Sequence, residues 1–444
     1  MSDMTAPAKR SLFTPDRLMD KRKAAEKRFR FYGLAAVVLS IAVLIFMLVS
    51  IAAQGWTAFT QAKLSFPITL DASKLDPKGN RNIEEMKKIT TLTYNKVLGQ
   101  GFADAMKAKG IQIDALTDKE LAVLVSKDAA ADIRNRVLAD PALLGTTIMA
   151  DVFASGRIDG YLKGRVTMAS AANDSNISPA QLQLADRLRD AGILKAGFNW
   201  TFLTNPDASD QRPEAAGIGV GLIGSAYMML LVLIMSVPIG VSASIYLEEF
   251  APKNRWTDLI EVNISNLAAV PSIVYGVLGL ALFINTAGLP QSSSLVGALV
   301  LTLMTLPTII IATRSAIKAV PPSIRDAALG IGASKMQTVT HHVLPLAMPG
   351  ILTGTILGLA AALGQTAPLL LIGMVAFVDN YPSLPVGGVM DPATALPVQV
   401  YTWTQRSDPA FIERSSGAII VLLIFLLTMN ALAIFLRRKF QTRW

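Results

Sequence analysis

Asp326, Ala327, Ala328, Gly332, Leu344 and Pro345 sit in a short polar segment between two long apolar stretches. The chemistry that their types and spacing support is docking, not bond making. The stretch reads Arg325-Asp-Ala-Ala-Leu-Gly-Ile-Gly332 and continues to His341-His342-Val-Leu-Pro345. A helix face of small residues, Ala327 and Ala328, can sink into the groove of a partner; Gly332 permits a sharp turn, and Pro345 is expected to end the segment.

Groups for bond-making chemistry are sparse. His341 and His342 are the only histidines and are adjacent, whereas ligation of a metal from one helix face needs a spacing of four, so an interfacial role is expected. Gly330-Ile-Gly332-Ala-Ser-Lys335 resembles a phosphate cradle but lacks the Walker spacing and has no strand before it. ATP use by this chain is therefore not expected. Glu248-Glu249 falls at a helix end and reads as a solvated pair, and no Ser/His/Asp or paired-carboxylate constellation is present. The absence of cysteine excludes disulfides, thiol nucleophiles and Cys-ligated metals. The expectation is a chain that is not an enzyme and has no catalytic residue, metal or cofactor of its own.

The elements that must carry the polar segment are membrane helices. The 444 residues are 52% hydrophobic and 16% charged, too apolar for a soluble protein of this size. The net charge of +9 does not point to nucleic acid, because the basic residues gather at the edges of apolar runs. Six such runs are long enough to cross a bilayer: 31-53, 217-246, 262-286, 294-313, 349-376 and 416-436. Residues 1-30 form a basic tail with nine Lys or Arg, and Arg437, Arg438, Lys439 and Arg443 follow the last run. Both termini are expected to be cytoplasmic, with segment 321-345 on the same side. Ser50-Ile51-Ala52 could pass for a cleavage site, but a run of this length favours an uncleaved anchor.

Residues 54-216 are long enough for a domain outside the membrane, and their charges nearly balance. Leu64 to Leu70 alternates as a strand does, 82-98, 115-139 and 179-191 read as amphipathic helices, and Phe198 to Thr204 as a closing strand. The expectation is a small α+β domain, followed by a helical unit over 217-444.

The polar segment resembles the coupling motif of bacterial ABC importer permeases, with Asp326 where the motif has Glu. Gly364-Gln365-Thr366-Ala367-Pro368 resembles the Gly-Glu-Thr-Ala-Pro signature of the PstA-type permeases of phosphate importers, and Ala395-Leu396-Pro397-Val-Gln-Val-Tyr401 and Phe198-Asn199-Trp200 extend the likeness over 198-444. The resemblance implies an all-α polytopic MetI-like permease with six transmembrane helices, carrying an inserted periplasmic α+β domain in the bacterial inner membrane. It further implies a second homologous permease subunit, an ATP-binding subunit dimer that uses the ATP, and a periplasmic phosphate-binding protein. Arg325, Asp326, Ala327, Ala328, Gly332, Leu344 and Pro345 would couple to the ATPase, and Gly364, Gln365, Thr366, Ala367 and Pro368 would line the path. Arg314 reads as an interfacial anchor. Relatives commonly pair an Arg with the signature Glu four residues on; here the positions are Ala361 and Gln365, so both charges are missing together. A permease for molybdate, sulfate or phosphonate, the sister phosphate permease, or a membrane sensor receptor remain alternatives.

Overall fold

The computed structural model describes residues 17-111, 116-374, 377-383 and 387-440. Lys9, Arg10 and Arg443 of the expected basic edges, and the end of the expected span 349-376, lie outside them. The chain divides into two units, 1-53 and 54-444.

The described residues of the first unit lie in one helix, α1 (Arg17–Gly55). From Leu34 to Val49 it exposes Val37, Leu39, Ile41, Leu44, Phe46 and other large apolar side chains all round its axis. A helix apolar on every face is stable only in an apolar medium.

The second unit begins with β1 (Thr60–Thr69), α2 (Thr91–Ala108), α3 (Ala129–Ala139), β2 (Thr147–Phe153), α4 (Gly156–Leu162), α5 (Pro179–Asp190) and β3 (Leu194–Phe198). The strands form an antiparallel sheet in the order β2-β1-β3, with Phe66 opposite Ala150 and Lys63 opposite Lys195. Leu64, Phe66, Ile68 and Leu70 point to one face and are fully buried, and Tyr94, Phe102 and Met106 of α2 cover them. The Phe66 and Phe102 rings lie 5.1 Å apart. Each such side chain stabilises the sheet-helix pair by roughly 1.5–3 kcal/mol.

Three of the expected elements differ in the folded chain. Residues 82-98 break at Thr90, an extended cap between a short helix and α2, and 115-139 breaks where Val125 bridges to Ala154. The expected strand Phe198–Thr204 ends at Phe198, because the Asn199 side chain accepts the Phe202 N–H at 3.1 Å and caps a helix over Trp200–Thr204.

The helical part comprises α6 (Gly219–Ile245), α7 (Arg255–Ala268), α8 (Ser272–Gly279), α9 (Ser294–Lys318), α10 (Pro322–Gly330), α11 (Leu344–Leu363), α12 (Ala367–Leu371), α13 (Leu396–Thr404) and α14 (Pro409–Phe440). Among the described residues five helices are long and apolar enough to cross a membrane, or six if one bent pair counts as a span. That pair replaces the expected straight span 262-286: Arg255–Ala268 and Ser272–Thr286 meet at 102°. Pro271 explains the bend, since it has no N–H to donate, disfavours helical backbone in the residue before it, and itself leaves the helical region with ψ 136°. The expected span 349-376 likewise stops at Leu363.

Small residues set the helix packing. A Cβ on Gly350 would lie 2.5 Å from the Ala316 Cβ, so α11 and α9 approach as closely as bare backbone allows. Pro238, Pro307 and Pro349 sit inside helices, and near the first of them the Ser236 and Ser244 hydroxyls bond the carbonyls of Val232 and Gly240 at 2.6 and 2.7 Å.

The sheet-bearing region joins the helices through a second apolar cluster of Phe202, Ile218, Leu396, Trp403 and Phe411. Beside it lies a buried charged group: Lys163 bridges Asp159 (2.7 Å) and Glu413 (2.9 Å), and Arg165 Nε approaches Glu413 at 2.6 Å as an ion pair. Arg414 donates to the carbonyls of Ala216 (2.6 Å) and Glu214 (2.9 Å) and to Gln61 Oε1 (3.2 Å).

Candidate functional site

The segment 321-345 is built as a helix, a left-handed turn and a second helix. Pro322 opens α10 at a position where the missing N–H costs nothing. The helix ends as the N–H groups of Ile331, Gly332 and Ala333 return to the carbonyls of Ala327, Leu329 and Ala328 at 3.0–3.2 Å. Gly332 has φ +90°, a conformation that side-chain-bearing residues rarely adopt. The next helix starts with a capping box in which Ser334 and Gln337 bond each other's backbone N–H at 2.8 and 3.2 Å.

The structure redistributes the roles expected within this segment. Asp326 and Ala327 are exposed, but Ala328 is buried within the chain itself and cannot be a partner-facing surface. The outward apolar groups are Leu329, Ile331, which is 83% exposed, and Met336, none of which the motif singled out. Arg325 turns inward: Nε and Nη2 donate to Glu249 Oε1 at 3.0 and 2.8 Å, Nη1 to the Val320 carbonyl at 2.7 Å, and Nη2 to the Ile317 carbonyl at 2.9 Å. Pro345 does not end the segment. It lies in the first turn of α11, and a π-helical turn over Val339–Val343 makes Lys335–Leu363 one continuous helix through Leu344 and Pro345.

The Glu248-Glu249 pair is not solvated in the expected sense. These residues lie on a π-helical turn, Tyr246–Phe250, that continues α6. Glu249 holds Arg325, while Glu248 lies 3.5 Å from both Arg314 and Lys318. Arg314 also meets Glu261 of α7 at 2.5 Å, so it is fixed between two carboxylates. Unsigned hydropathy hides these partners, but the coincidence of Glu248, Glu249, Glu261 and Arg314 at apolar-run ends was a readable signal, with Arg325 in the polar segment that follows.

The second set of residues lies at the other end of α11. Gly364 follows its last residue, Gln365 donates its N–H to the Ala362 carbonyl at 3.1 Å, and Thr366 precedes α12. Gln365, Thr366 and Ala367 are half-buried and Pro368 is buried. Pro368 seats against Gly276 of α8, where an added Cβ would be 2.7 Å from the Pro368 Cα. Twenty residues of α11 span about 30 Å, the thickness of a hydrocarbon core. Docking segment and helix break are thus at opposite ends of one rod and are not brought together.

Residues 236–444 match the family described as binding-protein-dependent transport system inner membrane component, and 16–172 match a domain of unknown function, DUF3333. A probable ABC transporter permease protein, YqgI, of Bacillus subtilis (strain 168) is 33% identical over 49% of this chain and 78% of its own. The phosphate transport system permease protein PstA 1 of Mycobacterium tuberculosis (strain CDC 1551 / Oshkosh) is 31% identical over 50% of this chain and 71% of its own. The chain belongs to the PstA-type family of ABC importer permeases. Its fold also aligns with an inward-facing structure of the MetNI methionine ABC transporter at a TM-score of 0.41 and 16% identity, covering 50% of this chain and 95% of that one. As an ABC permease this protein is a multi-pass membrane subunit, in a class whose ATP hydrolysis belongs to a separate subunit. These relatives match about half of this chain; the transport-family match lies in the helical part, and the DUF3333 match reaches into the sheet-bearing region.

Proposed function

We propose that this chain is the permease subunit that carries inorganic phosphate across the inner membrane of a bacterium. The observation that carries the substrate is the 31% identity, over half of this chain, to a permease named for phosphate transport; the family match over 236–444 holds both α10 and the Gly364–Pro368 break. The excess of Lys and Arg before Phe31 and after Phe435 supports cytoplasmic termini and a periplasmic location for 54-216. The docking face is then cytoplasmic, with Leu329, Ile331, Met336 and Asp326 turned toward an ATP-binding subunit dimer. A second homologous permease completes the pathway, and a periplasmic phosphate-binding protein delivers the substrate. Closure of the ATPase displaces α10, and the long helices rock so that the cavity opens outward; hydrolysis returns it inward. The interruption at Gly364–Pro368 supports a place on the path, since irregular backbone at membrane depth is stable where it lines a cavity.

The test is uptake by proteoliposomes containing the complex assembled with its genomic partners, offered labelled phosphate, sulfate or molybdate. ATP-dependent uptake of phosphate alone is expected. Preference for another oxyanion would overturn the substrate. Single cysteines at Gln100, Met390 and Lys335, all exposed, test the sidedness in a chain without native thiols. Positions 100 and 390 should react with an impermeant reagent from outside, and 335 only after permeabilisation; outside labelling at 335 would invert the docking face.

A further inference from the structure

We propose that Arg325 and Glu249 form a joint that makes the docking helix α10 and the adjoining ends of α6 and α9 move as one body. The proposal rests on the reading of α10 as the ATPase-facing element, and goes beyond it by naming the residues that carry the displacement inward. Three elements meet at one guanidinium. Arg325 belongs to α10; of the two carbonyls it binds, Ile317 is in the last turn of α9 and Val320 lies two residues past its end; Glu249 lies on the π-helical turn that continues α6. The Ile317 carbonyl also accepts the Val320 N–H at 3.2 Å, and a cation beside the C-terminal, negative pole of α9 is favoured by charge.

The joint is partly withdrawn from water. The Glu249 side chain is 9% exposed and that of Arg325 21%. Around it Ile317, Val320, Val343 and Ala347 form an apolar cluster against which Val241 and Ile245 of α6 and Ile324 of α10 pack. Arg325 and Asp326 are adjacent on a helix and therefore point about 100° apart, one inward and one outward. The outward Asp326 remains free for a partner, whereas Arg325 is engaged on all three nitrogens. A lysine could not do this, because an ammonium is a point charge and cannot span a carboxylate and two carbonyls at fixed angles. The π-helical turn places the carboxylate one step out of the ordinary helical register, and such turns recur at functional positions.

Arg325 is thus a positioning residue, and the test must separate transmission from stability. In the full complex, spin labels on Ser323→Cys at the start of α10 and Ile234→Cys, roughly 20 Å up α6 from Glu249, report the distance between docking helix and span. Wild-type side chains at 249 and 325 should give one narrow distance, the same with and without trapped nucleotide to within roughly the 1–2 Å of ordinary interface shifts. Glu249→Gln and Arg325→Lys should broaden that distance and lower substrate imported per ATP several-fold, while membrane level, ATPase co-purification and ATP hydrolysis persist. A distance that changes with nucleotide in the wild type, or that stays narrow in both variants, would overturn the joint. That distance does not depend on which anion is carried, so an error in the phosphate assignment would show in uptake alone, and an error in the docking role of α10 in ATPase co-purification.

Discussion

Lys163 and Glu413, 250 residues apart in sequence, meet at 2.9 Å with both side chains more than nine-tenths out of water. Asp159 and the less buried Arg165 complete the ion-paired group between α4 and the start of α14, and the buried Arg414 and Glu214 stand beside it. Breaking a buried pair strands a charge, whereas removing both partners does not.

Glu413→Leu alone is therefore expected to cost about 3–5 kcal/mol, because Lys163 and Arg165 are left with one carboxylate between them. Lys163→Met combined with Glu413→Leu should lose much less, since Asp159 and Glu214 still balance Arg165 and Arg414. Thermal melts of the purified protein in detergent would measure both, and equal losses in the single and double variants would show that the group does not act as a charge-compensated unit.

Glu214 offers a pH test outside the spans. Burial raises its pKa, against the Ser126 hydroxyl that donates to it at 2.6 Å and the nearby Arg414, and Asp128 adds to the rise. A carboxyl whose folded pKa exceeds its unfolded value of about 4.3 loses stability as pH rises from that value through the folded pKa. Glu214→Gln should therefore raise the melting temperature near neutral pH, with the advantage fading as pH falls toward about 4. An advantage that grew in acid would mean the sign is wrong.

Gly332 has open space around its missing Cβ, so only its backbone conformation objects to a side chain. Left-handed backbone costs an ordinary residue roughly 1–2 kcal/mol, and Asn tolerates it best. Gly332→Val should abolish uptake with the protein still in the membrane, while Gly332→Asn should retain most of it. Normal uptake by the Val variant would remove the support for a docking turn.

Gln365→Glu places a carboxylate where Ala361 offers no partner, and is expected to impair phosphate uptake; adding Ala361→Arg should restore it. The helix ends at Leu363, so the two positions face each other across its last turn with less constraint than within a helix. Strictly additive effects in the double-mutant cycle would show no coupling between them.

The parts of this fold that were legible in the sequence follow from hydropathy and period. Long apolar runs announced α6, α9 and α14, and the alternation at Leu64, Phe66, Ile68 and Leu70 announced β1. The bend between α7 and α8 was also written, in Pro271, but a window average smooths over one residue. β2 was not readable, because its three buried residues, Ala150, Val152 and Phe153, do not keep a strict alternation along an edge strand. For the site, spacing located the segment and Gly332 marked its turn. Spacing could not say which way Arg325 faces, since that depends on Glu249, 76 residues earlier.

The charged group at Glu413 also constrains the order in which the molecule can be made. Asp159, Lys163 and Arg165 leave the ribosome 250 residues before their partner, an interval of roughly 12–50 s at about 5–20 residues per second. During that time the sheet-bearing region holds two cations against one carboxylate. Its attachment is expected to wait for α14, so that a chain truncated before Glu413 would carry this region folded but unmoored.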